Sequence, residues 1–291
     1  EEIARETGLP AGIPVLAGAG DTMQSMLGSG IFEANRGVDV AGTCAMFCVS
    51  TKGIVPELSR PGLGLIFNSG TLPNTYFYWG FVRTGGLSLR WFKDNVAQHP
   101  ESGEHYRKMS EEAARVPAGA NGVLFLPYLT GGTGDEKDAS GCFLNMTMDD
   151  DQFVMWRAVL EAIAYDYREL AAAYRSAGVN LDRITVTEGG SRDALWNQIK
   201  SDMLEATVVR YRNAGGAVLT NALFGAWATG DRAGDVSAVV ELLSKAIVKD
   251  AEYEPDPETS RLYEKIGAMR AKLIRGDMRE AFRSLVAIRS L

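Results

Sequence analysis

Residues 13–21 read IPVLAGAGD, an apolar run that passes into glycines and ends on a carboxylate. The apolar run predicts a short strand over residues 13–17, and the small and apolar residues after it predict a helix from Thr22 to about Ile31. At the end of a strand the Asp21 carboxylate would project over a cleft, where it can accept a proton from a hydroxyl that attacks phosphorus. The simpler alternative is that Asp21 caps the following helix, and from this stretch alone that alternative is the stronger one.

Two further glycine turns follow along the chain, each where a predicted strand ends. Gly42, Thr43 and Cys44 form the turn of a β-hairpin, in which backbone N–H groups and a hydroxyl can hold phosphate oxygens. Residues 188–191, EGGS, join a strand to a helix, and the amino end of a helix suits a phosphate or a nucleoside. Taken singly, the first is also explained as an ordinary tight turn and the second as a routine strand-to-helix turn.

The periodicity of the whole chain predicts an α/β fold, a mixed sheet flanked by helices. A cluster of strands lies in the first 82 residues, and helices alternate with strands after it. The longest helix is predicted over residues 152–176, with Asp149 and Asp150 as caps. Residues 235–248 and 258–287 are predicted as two helices, the second a charged surface element.

The composition narrows the functional class. The 291 residues carry a formal charge of −7 with basic residues spread along the chain, which is unlike a nucleic-acid-binding surface. Three cysteines without a CxxC pair favour a reduced, cytoplasmic protein, and the spacing of the two histidines does not match a zinc site. No apolar run is long enough to cross a membrane. Residues 1–5 are unlike a signal peptide and read as part of a helix, so we expect a piece of a longer protein.

The common phosphate-binding and metalloprotease motifs, GxxxxGK[ST], GxGxxG and HExxH, do not occur. A P-loop or dinucleotide-binding enzyme is therefore not expected. Several other segments resemble, in order, those of one family, the FGGY carbohydrate kinases, and in particular the C-terminal lobe of xylulose kinase-like members. The matching segments are PV-x-x-G-x-G-D at residues 14–21, the GTS/GTG-type turn at 42–43, TGGLSLRW at 84–91, PYL at 127–129 followed by Asp138 and Gly141, RA-x-LE at 157–161, GGS followed by W-x-QI-x-x-D at 189–202, and Tyr253, Pro255 and Tyr263.

This resemblance implies an actin-like ATPase lobe of the ribonuclease H-like type, spanning residues 1–291. It implies ATP and Mg²⁺ as cofactors, with the metal bridging the nucleotide phosphates. Asp21 falls at the catalytic base and Thr43 at a contact with the γ-phosphate, while Thr22 and Met46 fall near the sugar. Positions that bind or line the nucleotide are matched by Gly42, Gly86, Arg90, Gly189, Gly190 and Asp193.

The resemblance also implies partners. Relatives bind a small-molecule sugar between two lobes, and their N-terminal lobe, which supplies most sugar contacts, is absent from these 291 residues. We therefore expect this chain alone to lack substantial kinase activity. Relatives often form homodimers, and neither a nucleic acid nor a membrane is expected as a partner.

Departures from the family pattern leave the substrate open. Glu188 replaces the first glycine of a GGG turn, and Asp193 stands where serine or asparagine is usual. A GER segment is replaced by residues 131–134, GGTG, with its charges lost or displaced to residues 135–137. Thr22 occupies a position that is asparagine in xylulose kinases and glutamine in glycerol kinases. Xylulose is the first expectation; ribulose, glycerol, gluconate and a deoxy-ketohexose are alternatives, as are a non-catalytic pseudokinase lobe and, less well supported, an acetate kinase or exopolyphosphatase.

Overall fold

A computed structural model describes residues 1–42, 45–82, 84–97, 103–132, 136–212, 216–289 and 291. Seven of the described strands form one mixed sheet, and two form a small antiparallel pair. The strands are β1 Arg36–Val40, β2 Ala45–Thr51, β3 Ile66–Ser69, β4 Tyr76–Val82, β5 Leu124–Leu126, β6 Cys142–Leu144, β7 Arg183–Thr187, β8 Thr207–Tyr211 and β9 Lys249–Tyr253.

The large sheet has the order β3-β4-β2-β1-β7-β8-β9. Strands β1 to β4 pair antiparallel, β7 and β8 run parallel to β1, and β9 is antiparallel to β8. The carboxyl ends of β1, β4, β7 and β8 therefore meet at one edge of the sheet. This edge is where the turns that follow β1 and β7 lie. The mixed sheet confirms the predicted fold class.

Ten α-helices are described around the sheet: α1 Glu2–Thr7, α2 Asp21–Gly28, α3 Gly85–Asn95, α4 Gly103–Ala113, α5 Gln152–Ser176, α6 Ala194–Leu204, α7 Ala217–Thr229, α8 Val236–Ala246, α9 Pro257–Lys272 and α10 Arg279–Arg289. None of the described helices combines the length and the apolar character that crossing a membrane requires.

The two faces of the sheet are covered by different helices, because successive side chains of a strand point to opposite faces. In β2, Phe47 and Val49 lie in the main core with α5, which runs across that face. Cys48 points the other way and packs in a smaller cluster with Met26 of α2 and Phe77 of β4. A third apolar cluster joins α2 to α7 and α8. The fold therefore has an α5 face and an α2 face.

The N-cap of helix α5 lies one residue later than predicted. Asp151 is its N-cap and accepts hydrogen bonds from the N–H groups of Phe153 and Val154. Asp150 instead accepts from the backbone N–H and the hydroxyl of Thr147 in the preceding turn. The prediction that Asp149 and Asp150 cap this helix is therefore wrong, although the helix itself spans the predicted residues.

Three other predictions of secondary structure differ from the structure. Residues 13–17 form no strand and Val15 is 91% exposed, because no described strand pairs with them and unpaired strand backbone gains no ladder hydrogen bonds. The predicted helix over 235–248 ends at Ala246, and β9 follows it. The predicted helix over 258–287 is divided by a π-helical turn, Leu273–Asp277, which contains the poor helix former Gly276.

Candidate functional site

The glycine turns predicted from the sequence meet at the carboxyl end of β1. The N–H of Gly86, in the first turn of α3, donates to the carbonyl of Gly42 over 3.1 Å. The N–H of Gly190, after β7, donates to the carbonyl of the neighbouring Ala41 over 3.0 Å. Three segments that are 40 to 150 residues apart in the chain thus share one edge of the sheet.

Close packing explains why some of these positions are glycine. A Cβ atom on Gly190 would lie 2.6 Å from the Trp196 ring and 2.7 Å from the Cβ of Ala41. A Cβ on Gly85 would lie 2.6 Å from the Cβ of Ala45. Gly189 differs, because a Cβ there would meet no atom within 4 Å. Gly190 is therefore required by the protein's own packing, and Gly189 borders open space that a ligand can fill.

The start of α3 is held in an unusual backbone conformation. Thr84 has a φ of 43°, in the left-handed region that a β-branched residue rarely adopts. Its hydroxyl donates to the carbonyl of Pro127 over 2.8 Å and accepts from the Ser88 hydroxyl, also over 2.8 Å. These two bonds fix the first turn of α3, which carries Gly86, against the segment after β5.

Asp21 begins α2, the helix that packs on one face of this sheet. A cavity of about 290 Å³, lined among others by Leu27, Thr51 and Phe77, places the end of α2 beside the carboxyl end of β2. That end of β2 is the amino end of β1, because the two strands are antiparallel. We expect Asp21, at the other end of α2, to approach the opposite edge, where Gly42 lies.

The surroundings of Asp21 weaken the interpretation of this residue as a helix cap. The N-cap of α2 is Gly20, and Asp21 is the first residue of the helix itself. The Asp21 carboxylate is exposed, and its Oδ1 accepts from the N–H of Thr22 over 2.7 Å and from the Thr22 hydroxyl over 3.4 Å. Asp21 is available to an incoming hydroxyl group, and Thr22, predicted near the sugar, contacts the carboxylate directly.

Three other residues were predicted for the site: Thr43, Arg90 and Met46. Thr43, with its neighbour Cys44, falls outside the described residues. Arg90 lies exposed on α3, five residues after the helix begins. Met46 is half-buried in β2, on the α2 face of the sheet, in the cluster that α2 covers.

Asp193 has a structural role that the sequence did not indicate. It is the N-cap of α6 and accepts from the N–H of Trp196 over 3.0 Å. Its other oxygen accepts from the hydroxyl of Ser110, which in turn accepts from the indole N–H of Trp156. Burial raises the pKa of Asp193 above its ordinary value, and these hydrogen bonds lower it in part. The Asp193 carboxylate therefore links α4, α5 and α6 next to the turn that contains Gly190.

Glu188 is strained as well as charged. Its backbone has φ 63° and ψ −165°, a region that essentially only glycine occupies without strain. The side chain is exposed, and the Glu188 carbonyl accepts from the hydroxyl of Ser191 over 2.7 Å. The turn therefore keeps a glycine conformation at a position where the sequence has glutamate.

A buried charge network that the sequence did not predict lies at Asp39 of β1, three residues before Gly42. Lys200 of α6 donates to Asp39 of β1 over 2.5 Å, and both side chains are almost fully buried. Tyr167 of α5 donates to the other Asp39 oxygen, and the Lys200 ammonium stands 3.6 Å above the Trp196 ring. The signal was a single acidic residue, Asp39, between Val38 and Val40. This network links β1 to α5 and α6.

The loop that replaces the GER segment is held by the C-terminal part of the chain. Glu136 accepts from the Tyr128 hydroxyl over 2.8 Å and from Arg275 of the π-helical turn over 3.2 Å. Arg275 also donates to Glu169 of α5 over 3.0 Å. Residues 135–137 were the candidates for the displaced charges of the GER segment. One of them, Glu136, is paired with Arg275, which is far away in the sequence. Residues 133–135 lie outside the described part of the loop.

The RA-x-LE segment of α5 has a structural explanation. Arg157 and Glu161 form a buried ion pair with a separation of 2.8 Å. Glu161 also accepts from the Tyr263 hydroxyl of α9 over 2.8 Å and from the N–H of Gly119 over 3.0 Å. Burial raises the pKa of Glu161, and Arg157 partly offsets this rise. The pair fastens α9 and the backbone at Gly119 to α5.

Comparison with known proteins agrees with this architecture. Residues 38–229 match the family model described as "FGGY family of carbohydrate kinases, C-terminal domain". The chain is 27% identical over 270 residues to a xylulose kinase of Staphylococcus epidermidis, covering 90% of this chain and 51% of that protein. It is 27% identical over 274 residues to a gluconokinase of Bacillus licheniformis, covering 91% of this chain and 52% of that protein.

The fold is likewise shared with a solved structure. The crystal structure of xylulose kinase from Rhodospirillum rubrum matches with a TM-score of 0.82 and 29% identity, over 97% of this chain and 55% of that one. The chain thus spans about half the length of the relatives that it matches.

Proposed function

This chain belongs to the FGGY family of carbohydrate kinases, and we propose that it is the nucleotide-binding lobe of a two-lobe enzyme that phosphorylates a sugar with ATP. Its fold is that of the actin-like ATPases, as expected from the sequence. The proposed acceptor is a hydroxyl of a ketopentose or a related polyol, with xylulose first. The proposed domain is the whole chain, residues 1–291.

The observation that supports this proposal best is the convergence of the glycine turns beside a carboxylate. Gly42, Gly86 and Gly190 come together through two backbone hydrogen bonds, and Asp21 is the exposed first residue of α2, which covers one face of the same sheet. Backbone turns and a helix start that meet at one sheet edge suit phosphate groups. A carboxylate beside them suits proton transfer from the attacking hydroxyl.

The residues of this chain fit a nucleotide. Gly189 borders open space beside Gly190, at the turn that joins β7 to α6. No group of three acidic, histidine or cysteine side chains within the described ranges could hold a metal ion. We therefore assign Mg²⁺ to the phosphates of ATP, where it would neutralise the charge that develops during transfer.

Asp21 has the proposed role of general base. Its exposed carboxylate would accept the proton of the sugar hydroxyl as that oxygen attacks the γ-phosphorus. The Thr22 hydroxyl, which contacts Asp21 Oδ1, would hold the carboxylate in one orientation. Thr43 keeps its proposed contact with the γ-phosphate, and Gly86, Arg90, Gly190 and Asp193 line the proposed nucleotide site.

The proposed second lobe has unoccupied surfaces on this chain to contact. Ile13 and Val15 are exposed next to the segment that carries Asp21. Helix α7 is apolar on all sides, yet Val218 and Ala222 on one face remain exposed. A helix that is apolar all round is normally buried in the complete protein. These surfaces support a contact with a second lobe.

Xylulose is the first proposed substrate because two of the similar proteins described above are named xylulose kinases. A gluconokinase at the same identity keeps gluconate as the main alternative acceptor. A non-catalytic pseudokinase is favoured by one observation, the exposed negative charge of Glu188 at the proposed nucleotide turn. Binding of ATP without phosphoryl transfer to any sugar would distinguish that candidate.

The test is a sugar panel assayed with ATP, using the full-length protein that carries this chain. We expect turnover of a ketopentose or related polyol, and we expect Asp21→Asn to lower kcat by about 10²–10⁴-fold, the usual contribution of a general base. Asp149→Asn is the matched control, because Asp149 is also exposed but follows β6, away from the glycine turns. A loss of only a few-fold in Asp21→Asn would contradict its role as the base.

A further inference from the structure

The α2 face of the sheet is not fully covered near the carboxyl end of β4. Side chains 77, 79 and 81 of β4 point to this face; Phe77 is buried under α2, Trp79 is half-buried and Phe81 is 61% exposed. Directly across from Phe81 in the neighbouring strand is Met46. Three large apolar side chains, Met46, Trp79 and Phe81, therefore form a continuous wall that no described helix covers completely.

The wall is held in a fixed geometry. The rings of Trp79 and Phe81 pack edge to face, with centroids 5.1 Å apart and an interplanar angle of 83°. The indole N–H of Trp79 donates to the Asn68 side chain over 2.7 Å, which orients the indole. Met46, the third residue of the wall, is held beside Phe81 by the backbone pairing of β2 with β4. A rigid apolar surface of this kind loses little conformational entropy when a ligand binds.

The location of the wall relates it to the proposed reaction. Phe81 lies near the carboxyl end of β4, at the sheet edge that also carries Gly42, because β4 and β1 are both antiparallel to β2. It points to the same face as α2, whose first residue is Asp21. Met23, two residues after Asp21, packs in the same cluster as Met46 and Trp79. A molecule that presents a hydroxyl to Asp21 would therefore have the wall at its side.

We propose that Phe81, supported by Met46 and Trp79, is a sugar-contacting residue that determines acceptor specificity. A sugar or polyol has faces made of C–H groups and edges made of hydroxyl groups. The negative π face of an aromatic ring attracts the slightly positive C–H groups, and an apolar wall excludes water from that side of the ligand. The inference rests on the proposed function and names one contact of the acceptor within it.

The experiment compares Michaelis constants for the sugar and for ATP in the full-length protein. The variants are Phe81→Ala, which removes the ring, and Phe81→Leu, which keeps a shorter apolar side chain. Ile54→Ala is the matched control, because Ile54 is 69% exposed and lies in the segment between β2 and β3, outside the wall. Because Phe81 is largely exposed, neither substitution removes a core side chain.

We expect Phe81→Ala to raise the KM for the sugar by about tenfold or more, the usual effect of losing one apolar contact in a binding site. Phe81→Leu should give a smaller rise, while the KM for ATP should change less than twofold in both variants and Ile54→Ala should resemble the wild type. An unchanged KM for the sugar in Phe81→Ala would overturn the inference and leave the kinase function intact.

Two other outcomes would also overturn the proposed role of Phe81 in sugar binding. A similar fall in kcat for every acceptor, with all KM values unchanged, would assign Phe81 to the contact between lobes and overturn its role in sugar binding. Failure of the wild-type protein to phosphorylate any sugar on the panel would overturn the proposed function itself, together with the inference that rests on it. That result would be seen before any Phe81 variant is compared.

Discussion

Replacement of Glu188 by glycine should stabilise the protein. Glu188 has φ 63° and ψ −165°, and a residue other than glycine in this region carries about 1–3 kcal/mol of strain. Glycine removes that strain, but it costs about 0.5–1 kcal/mol because the unfolded chain gains conformational freedom. The midpoints of these two ranges give an expected net gain in the free energy of unfolding of about 1 kcal/mol. For a chain of this size, that corresponds to a rise in Tm of about 1–4 °C.

The assay is urea denaturation followed by circular dichroism, with thermal denaturation as a second measure. Glu188→Ala separates backbone strain from charge, because alanine lacks the carboxylate but keeps the Cβ atom that makes this conformation costly. Glu205→Gly is a second control at the end of α6, where φ 48° and ψ 45° describe an ordinary left-handed residue. Strain there is about 1 kcal/mol, so the change to glycine should be close to neutral.

The comparison between the variants can refute the reasoning. We expect Glu188→Gly to exceed Glu188→Ala in stability and Glu188→Ala to resemble the wild type. If the alanine variant were as stable as the glycine variant, the carboxylate and not the backbone would carry the cost. If both were less stable than the wild type, the strain argument would be wrong.

Three further predictions concern the chain as a whole. The 291-residue chain assayed alone with ATP should phosphorylate no sugar on the panel above the enzyme-free rate, because the proposed site is completed by a second lobe; robust turnover would contradict this. Glu161→Leu should lower the free energy of unfolding by about 3–5 kcal/mol because it leaves Arg157 buried without its partner, whereas the double variant with Arg157→Met should recover part of the loss. If the single and double variants lost the same amount of stability in urea, the uncompensated charge would not be the cause. Burial, with Asp39 nearby, raises the pKa of the Cys48 thiol to about 12, so iodoacetamide should not label Cys48 in the folded protein at pH 8 but should label it in urea. Since the pKa is higher in the folded state, the stabilisation from this group is complete below the unfolded pKa of about 8.5 and is lost as the pH rises toward 12; rapid labelling of folded protein at pH 8 would contradict the assignment.

The contacts of Glu136 and Asp193 show why some departures from the family pattern could not be interpreted from sequence. The partner of Glu136 is Arg275, which is 139 residues away along the chain. Asp193 is bonded to Ser110, which is 83 residues away. The sequence shows that a charged residue stands at a different position from that in the family pattern. Only the folded chain shows which group pairs with it.

Local pattern by itself determined the elements that are regular over several turns or that alternate clearly. The span of α5, Gln152–Ser176, agrees with its predicted bounds, because apolar periodicity is a property of neighbouring residues. The order of the glycine turns and the resemblance they support were also available from the sequence, and the family assignment made from them is confirmed.

Tertiary structure decided whatever depends on residues that meet only after folding. Strand β9, KDAEY, is polar and forms because β8 offers a free edge, whereas the apolar residues 13–17 have no described partner and form no strand. The buried pair of Asp39 and Lys200 joins positions 161 residues apart. Propensity and periodicity act between neighbours, but hydrogen-bond partners and buried charges are satisfied across the fold. For this reason the sequence could identify Asp21 and the glycine turns as candidates, and only the folded sheet could bring the glycine turns to one edge.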